Sequence, residues 1–569
     1  MDHPECPVLS SSLSGYLKNN LAPTADDIVR TSILKEGPVT ELRSVEELVI
    51  EAQNSLELLM KRRESLQTTL YRCDTILSPS RRVPDDIWRE IFIRCLPSHR
   101  NPILSFVEAP LLLTHVCSIW RSISLSTPQI WNRIHIPLFQ IFRDPIWGIP
   151  PPYLDNPDIH DLQFRLQMRS RQVREWLRRS GSLPLSITVS NPSGESSTTE
   201  YHAHLLDSIM EFSGRFRNLE LMVMDSHQLY ARCLRLTLSR LPMLRDLTVY
   251  SIPKTDTGST AQWYDKGLFI HPNLRRLTIG YLPLSTPPAI EIFPLPTNWR
   301  NLDYLSINSA IPLHWAREIL IHCHALVEIS IRINDATSSN QIAFGDDHII
   351  IPRLTTFSVL DDCSDASRLY DSIQVPGLHA LQCYGNSRVP LISMPHFFRL
   401  LPRVLGLRKL TINPRVFTKE SALQCFRLAP SITHLSLGRQ QDYNVSLLPS
   451  HSSSPEVMEI LATVYAYNTT LLPNLEILEA YGVMMADKTF LDLMIARFDP
   501  TRSGVARLKK VSIRFHRVKQ MDVSRQIEYH AKLVGVDIDL HLSYLQRNTQ
   551  KGLSPSFGLR NQPMYLFTS

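Results

Sequence analysis

PMLRDLTVY, residues 242–250, and PNLRRLTIG, residues 272–280, are two copies of one pattern set 30 residues apart. A proline stands two positions before a leucine. From that leucine the order is apolar, two residues, apolar, one residue, apolar. The template recurs eleven times, starting at Leu219, Leu244, Leu274, Leu302, Leu326, Leu354, Leu378, Leu407, Ile432, Leu475 and Leu508. Most spacings fall between 24 and 30 residues, and one gap of 43 before Leu475 holds a serine-rich tip at 448–455. In a chain that is 43% hydrophobic the template alone would match by chance, so two further regularities carry the reading. Proline precedes the start by two in six copies: Pro242, Pro272, Pro352, Pro376, Pro430 and Pro473. With 40 prolines in 569 residues, fewer than one would fall there at random. Serine or threonine separates the last two apolar positions in eight copies: Thr248, Thr278, Ser306, Ser330, Ser358, Thr411, Ser436 and Ser512.

Buried apolar residues alternating with small polar ones have the period of a half-buried strand. One such unit cannot bury its own apolar face, whereas stacked units share it as a continuous core. Amphipathic stretches between the strands, such as Trp315–Leu326 and Ser421–Leu428, supply helices. The expected fold class is therefore an α/β repeat over residues 181–545, with 546–569 as a C-terminal tail.

Working outward, residues 1–38 lack apolar periodicity and are expected to be loosely ordered. Residues 39–78 read as one long helix. Leu42, Val49, Leu56, Leu70 and Leu77 fall seven or fourteen apart, and Val45, Ala52, Leu59, Leu66 and Cys73 form the interleaved set, with Arg63 as the one break. Such a seam serves either a coiled coil, including self-association, or a helix folded back on its own protein. Residues 79–137 form a compact module. Pro84 opens a helix with Asp85 and Asp86 in its positive first turn, and Ile87, Ile91 and Phe92 share a face. A second helix carries Leu111, Leu112, Val116, Ile119, Trp120 and Ile123, and Trp131 follows a Ser-Thr-Pro turn. Residues 138–180 are a linker, proline-rich at 142–158. It ends in a basic amphipathic helix, Arg165–Arg179, whose Phe164, Val173, Trp176 and Leu177 would pack while its arginines face water.

Composition excludes more than it names. Nine cysteines stand singly with no CxxC pair, which suits a reducing cytoplasm or nucleus and argues against a disulfide framework or a cysteine zinc site. No stretch approaches a membrane span, and the first residues lack the features of a secretory signal. The net charge of +6 is spread over the whole chain, so no nucleic-acid partner follows from it. No two glycines stand at the spacings of a dinucleotide-binding loop, a P-loop or a nucleophile elbow, and HExxH is absent. His322-Cys323-His324 would point adjacent ligands apart. Asp346-Asp347 and Asp361-Asp362 have no defined acid or base partner. The expectation is a non-enzyme without catalytic residues, metal or cofactor.

The module 79–137 resembles the F-box family. That family runs Leu-Pro, Ile-Phe, Val-Cys-x-x-Trp-Arg and a final Trp. Here the order is Val83-Pro84, Ile91-Phe92, Val116-Cys117, Trp120-Arg121 and Trp131. The chain looks especially like the F-box-like proteins of mushroom-forming fungi, in which a coiled helix precedes the box and leucine-rich repeats follow it. The resemblance covers about sixty residues at motif level and the whole chain in domain order. It departs in Val83 for leucine and in a longer segment from Leu96 to Leu111. The resemblance implies that Val83, Pro84, Ile87, Ile91, Phe92, Leu112, Val116 and Trp120 dock on, or support docking to, a Skp-type adaptor and through it a cullin. It implies a helical F-box followed by a leucine-rich-repeat solenoid, in a substrate adaptor of a ubiquitin ligase complex. The alternative is an interaction scaffold without ligase coupling. The target protein would then meet the varied outward position of each strand: Asp246, Arg276, Tyr304, Glu328, Thr356, Ala380, Lys409, His434, Ile477 and Lys510. Asp246, Arg276, Tyr304, Glu328 and Lys409 are the foremost candidates, because interface hot spots favour Tyr and Arg.

Overall fold

The structure is a computed structural model. It describes residues 11–18, 21–138, 159–191, 203–223, 238–251, 268–281, 296–335, 348–385, 395–414, 417–438, 458, 461, 471–499, 501, 504–545 and 567–568. The proline-rich stretch 142–158, Asp346 and Asp347, the serine-rich tip 448–455 and most of the tail 546–569 lie outside these residues. The chain divides into two compact units, Met1–Trp88 and Arg89–Ser569.

In the first unit a single helix, α1, runs over Ala25–Leu77. It starts earlier than periodicity suggests, and 25–38 is helical rather than loosely ordered. The cause is local: the Thr24 hydroxyl accepts the Asp27 N–H at 3.3 Å, and Asp26 and Asp27 occupy the positive first turn. The Tyr16 hydroxyl also donates to Asp27 at 3.0 Å. Capping fixed this start, not an apolar stripe. Pro38 lies inside the helix, and no residue of α1 is buried, the seam included.

The second unit is built on a fifteen-stranded sheet whose order follows the chain. Its strands are Arg133–Pro137, Leu185–Asn191, Phe216–Val223, Asp246–Ser251, Arg276–Tyr281, Tyr304–Pro312, Glu328–Asn334, Thr356–Asp362, Ala380–Gly385, Lys409–Ile412, His434–Leu437, Ile477–Val483, Lys510–Phe515, Asp539–Leu545 and Phe567–Thr568. Neighbours are parallel except the last, which runs antiparallel to the end of Asp539–Leu545. Ten strands begin two residues after a template start, as Asp246 does after Leu244.

The proline regularity has a geometric cause. From Leu244 to Leu475 each start N–H closes a turn onto the carbonyl three residues back: Leu244 on Leu241 at 3.0 Å, Leu274 on His271 at 3.1 Å, Leu378 on Val375 at 3.1 Å. Pro242, Pro272 and Pro376 therefore sit second in a four-residue turn, where their fixed φ is already correct. The next amide reaches the preceding strand, as Arg275 N–H does to the Arg245 carbonyl and Asp303 N–H to the Arg275 carbonyl, both at 2.8 Å. Asn273 and Asn474 add side-chain bonds to the carbonyls of Pro242 and Pro430, each at 3.0 Å. Register then aligns the second apolar positions into one row: Leu247, Leu277, Leu305, Ile329, Phe357, Leu381, Leu410, Leu435, Leu478 and Val511. All ten are buried. Burying each such side chain stabilises the fold by about 1.5–3 kcal/mol.

Register also corrects the template. Leu219 pairs with Leu247, so the equivalent of Leu244 is Phe216, three residues before the expected start. Four strands escaped the template, the two-residue Phe567–Thr568 among them. Arg133–Pro137 and Leu185–Asn191 precede it, with Trp131 and Pro184 at the first position. Asp539–Leu545 follows it, where Asp537 replaces the apolar start. The serines and threonines expected to be exposed are not uniformly so: Ser306, Ser358, Thr411 and Ser436 are buried. With strands about 4.8 Å apart, a short side chain is shaded by taller neighbours.

The helices Leu313–His322 and Lys419–Leu428 match the expected amphipathic stretches, the second closed by a capping box of Thr418 and Ser421. In α4, Ile159–Arg179 (α2 and α3 are described below), Val173, Trp176 and Leu177 are buried as their spacing predicts and Leu166 is buried with them, but Phe164 is exposed.

At the C-terminal end, Asp487 gathers separate elements. It begins the helix Asp487–Phe498 and accepts from Arg517 at 2.7 Å, from the N–H groups of Gln520 and Met521 at 2.8 Å, and from the Tyr544 hydroxyl at 3.0 Å. Burial pushes its carboxyl up, but these four donors together hold it below the ordinary carboxylate range. A depressed folded value means the stabilisation is complete above the unfolded value and is lost as pH falls through the folded one. Asp487→Asn is expected to cost about 1.5–3 kcal/mol at pH 7, since it removes the charged acceptor of the half-buried Arg517. Urea titrations at pH 7 and pH 3.5 check this: the gap between variant and wild type should narrow at the lower pH.

Candidate functional site

The helical module sits where α2 (Asp85–Arg94) crosses from the first unit into the second. In the first unit Val83 is half-buried, while Pro84 and Ile87 are exposed. In the second, the segment expected to be one helix is two pieces. A short 3-10 turn, Leu112–His115, is followed by α3, Ser118–Leu125. Cys117 between them is extended, and its sulfur caps α3 by accepting the Trp120 N–H at 3.4 Å. The break turns two apolar groups in different directions. Phe92 is fully buried with its ring 5.0 Å from the half-buried Trp120, and Leu113, Ile123, Ile130 and Trp131 are buried too. Ile91, Leu112, Val116 and Ile119 face outward, 38%, 43%, 54% and 58% exposed. Four large apolar side chains on a buried aromatic support are more than a folded surface needs for itself. Of the residues implied to dock, Phe92 can only support. Ile119, read only as part of an apolar helix face, is the most exposed of the outward four.

Trp131 joins this module to the sheet. Its indole N–H donates to the Ser124 carbonyl at 2.8 Å, its ring meets Trp176 edge-on at 5.0 Å, and the Arg179 guanidinium lies 4.8 Å over it. The longer segment Leu96–Leu111 also has a structural use. Arg133–Pro137 is an edge strand, and Pro102 accepts the His135 N–H at 2.8 Å, with a bridge from Ile103 to His135. Glu108 holds the loop in shape by accepting from Arg100 and from the Ile103 N–H, each at 3.0 Å. Asn101 anchors it to Thr188 at 2.9 Å. The inserted residues thus cover an open edge that would otherwise invite pairing.

The varied outward positions form one continuous row. Asp246, Arg276, Tyr304, Glu328, Thr356, Ala380, Lys409, His434, Ile477 and Lys510 are successive register partners. Arg276 is exposed and the others are half-buried. The Arg276 guanidinium stacks 4.1 Å over the Tyr304 ring, which presents both as a planar pair. His434 lies 3.2 Å from Glu479. Burial, with Lys409 nearby, holds its imidazole below the ordinary value, so it is neutral at pH 7.

At the Asp246 end the row opens into a groove of about 500 Å³ lined by Arg133, Arg217, Asn218, Arg245, Asp246 and Arg276. Burial raises the Asp246 carboxyl against the pull of Arg276, Arg245 and Arg217. With its amide nitrogen turned toward Asp246, Asn218 donates to Oδ2 at 3.0 Å, while Oδ1 is buried without a partner. Four guanidinium groups against one carboxylate leave the groove positive. The sequence carries a partial signal for it that the template overlooked: Arg217 and Arg245 each directly follow a first apolar position.

Among the described residues no group of three or more His, Cys, Asp or Glu could hold a metal, and no helix is long and apolar enough to cross a membrane. No protein-family model matches this sequence, and no curated protein is significantly similar to it.

The two-sided module makes a direct prediction. Phe92→Ala should cost about 3–5 kcal/mol in unfolding free energy, whereas Ile119→Asp should stay within about 0.5 kcal/mol of wild type. Denaturant melts of the two variants check the assignment of buried support and free surface.

Proposed function

We propose that this chain is a substrate-recognition adaptor of an SCF-type (Skp–cullin–F-box) ubiquitin ligase. In this reading the module at 79–137 is the F-box and the parallel sheet is the inner face of a leucine-rich-repeat solenoid. The observation that carries it is the outward apolar cluster of Ile91, Leu112, Val116 and Ile119. Three of its four members occupy positions that the F-box resemblance assigns to the adaptor, and the fourth, Ile119, lies on α3 three residues after Val116. A Skp-type adaptor would cover these side chains, with Phe92 and Trp120 as the rigid floor beneath them. The row from Asp246 to Lys510 would hold the target, with Arg276 stacked on Tyr304 as its anchor and the arginine groove favouring an acidic segment. Such a protein works by proximity: holding both partners raises the effective concentration of a target lysine near the charged ubiquitin carrier. It would act in the cytoplasm or nucleus, where these ligases operate.

Co-purification of the full chain with a Skp-type adaptor and its cullin tests the proposal. Val116→Asp with Ile119→Asp, and separately Pro84→Ala with Ile91→Asp, should abolish capture of the adaptor without shifting the melting of the sheet unit. Adaptor capture at wild-type strength by both variants would overturn the docking assignment. Capture of adaptor without cullin would favour the scaffold. Arg276→Ala with Tyr304→Ala should weaken target capture and leave adaptor binding unchanged.

A further inference from the structure

The seam of α1 repeats Leu42, Val49, Leu56, Arg63, Leu70 and Leu77 on one set of positions, and Pro38, Val45, Ala52, Leu59, Leu66 and Cys73 on the other. The apolar members from Leu42 to Leu70 are exposed, Leu42 at 58%, Leu59 at 64% and Leu70 at 63%. Leu48, Met60 and Ile76 flank the seam and widen it, and they are exposed as well. Apolar area of this extent along one helix calls for a partner helix. The sequence says which one.

We propose that α1 pairs antiparallel with α1 of a second copy of this chain, in the register that sets Leu56 against Leu59 of the other copy. Three features carry this. The first is Arg63. In a parallel pair the two Arg63 side chains would face each other inside the seam, and the two Ala52 methyls would face each other across a thin layer. In the antiparallel register Arg63 instead meets Ala52. The small residue leaves room for the long one to lay its aliphatic stem across the seam and carry its charge out to water. The two Arg63 charges are then eleven residues apart along the helix, about 16 Å, beyond the screening length of about 8–10 Å.

The second feature is charge. Residues 41–57 carry five glutamates (41, 46, 47, 51 and 57) against one arginine, Arg43. Residues 58–74 carry Lys61, Arg62, Arg63 and Arg72 against Glu64 and Asp74. The antiparallel register lays the acidic stretch of each copy along the basic stretch of the other. A parallel pair would lay acid on acid and base on base, which is the arrangement that charges flanking a seam select against. The third feature is length. The register that matches Leu56 with Leu59 also matches Leu77, the last residue of α1, with Pro38. The overlap is thus the proline-to-end segment and every apolar layer in it is used: Leu42 meets Cys73, Val45 meets Leu70, and Val49 meets Leu66.

Cys73 is exposed and unbonded, and it makes the test direct. Sedimentation equilibrium of the full chain should give twice the 65.2 kDa of one copy. Leu56→Asp with Leu59→Asp should return it to a single copy without shifting the melting of the sheet unit. Under mild oxidation the wild-type chain should form no Cys73–Cys73 link, because the two thiols lie at opposite ends of the overlap. Leu42→Cys should give a covalent dimer whose crosslinked peptides map to 42 and 73. A single copy at tens of micromolar, or a ready Cys73–Cys73 link, overturns the proposal. None of these outcomes depends on adaptor or target binding, so the pairing can fail while the ligase reading stands, and the reverse.

Discussion

Everything in the second unit depends on one constraint: each strand must enter the sheet in register with its predecessor. Two amide bonds enforce it in most repeats. The start residue closes its own turn, and the following amide crosses to the neighbouring strand, as from Arg275 to Arg245 and from Asp303 to Arg275. Parallel strands admit no hairpin, so each crossover must bring the chain back by one full repeat, and the period of the sequence becomes the period of the sheet. Once register holds, Leu247, Leu277 and Leu305 fall in line and the core is continuous. A slip of one residue would turn that whole row outward.

The same constraint reaches into the helical module through Trp131. This residue stands at the first position of the earliest strand, and it is also the last aromatic of the module. Its buried ring receives Ser124 from one side and Trp176 with Arg179 from the other. The position of α3 is therefore set by the sheet. The exposed apolar cluster on α3 and the preceding turn inherits that rigidity. The loop from Leu96 to Leu111 serves the same end by closing the edge strand with a backbone bond and a bridge.

Electrostatics divide the molecule by role. Asp487, surrounded by four donors, is a structural charge that fastens the last two long strands to a helix. The arginines around Asp246 are the reverse: a half-buried carboxylate too weak to neutralise them, in a groove at the end of the outward row. Along the row, the basic end at Asp246 also carries the arginine stacked on a tyrosine, Arg276 over Tyr304.

The sequence by itself determined most of the strands and the core row, because a period-two pattern repeated behind a proline-led turn favours stacked strands that share one apolar face. It also determined the seam of α1, since heptad spacing is a property of the helix alone. It misread what depends on other elements. Leu219 was taken as a start, although the next strand pairs with it three residues out of step. Asp537 hid a strand that only its neighbours identify. The break at Cys117 was invisible, because Leu111 to Ile123 has helical spacing throughout and only packing of Phe92 on Trp120 demands the turn. Burial of Ser306 and Thr411 arises from the height of adjacent side chains, which no single strand encodes. Tertiary structure decided these points for one physical reason: register, edge closure and shading are relations between segments, and a one-dimensional pattern specifies each segment only against itself.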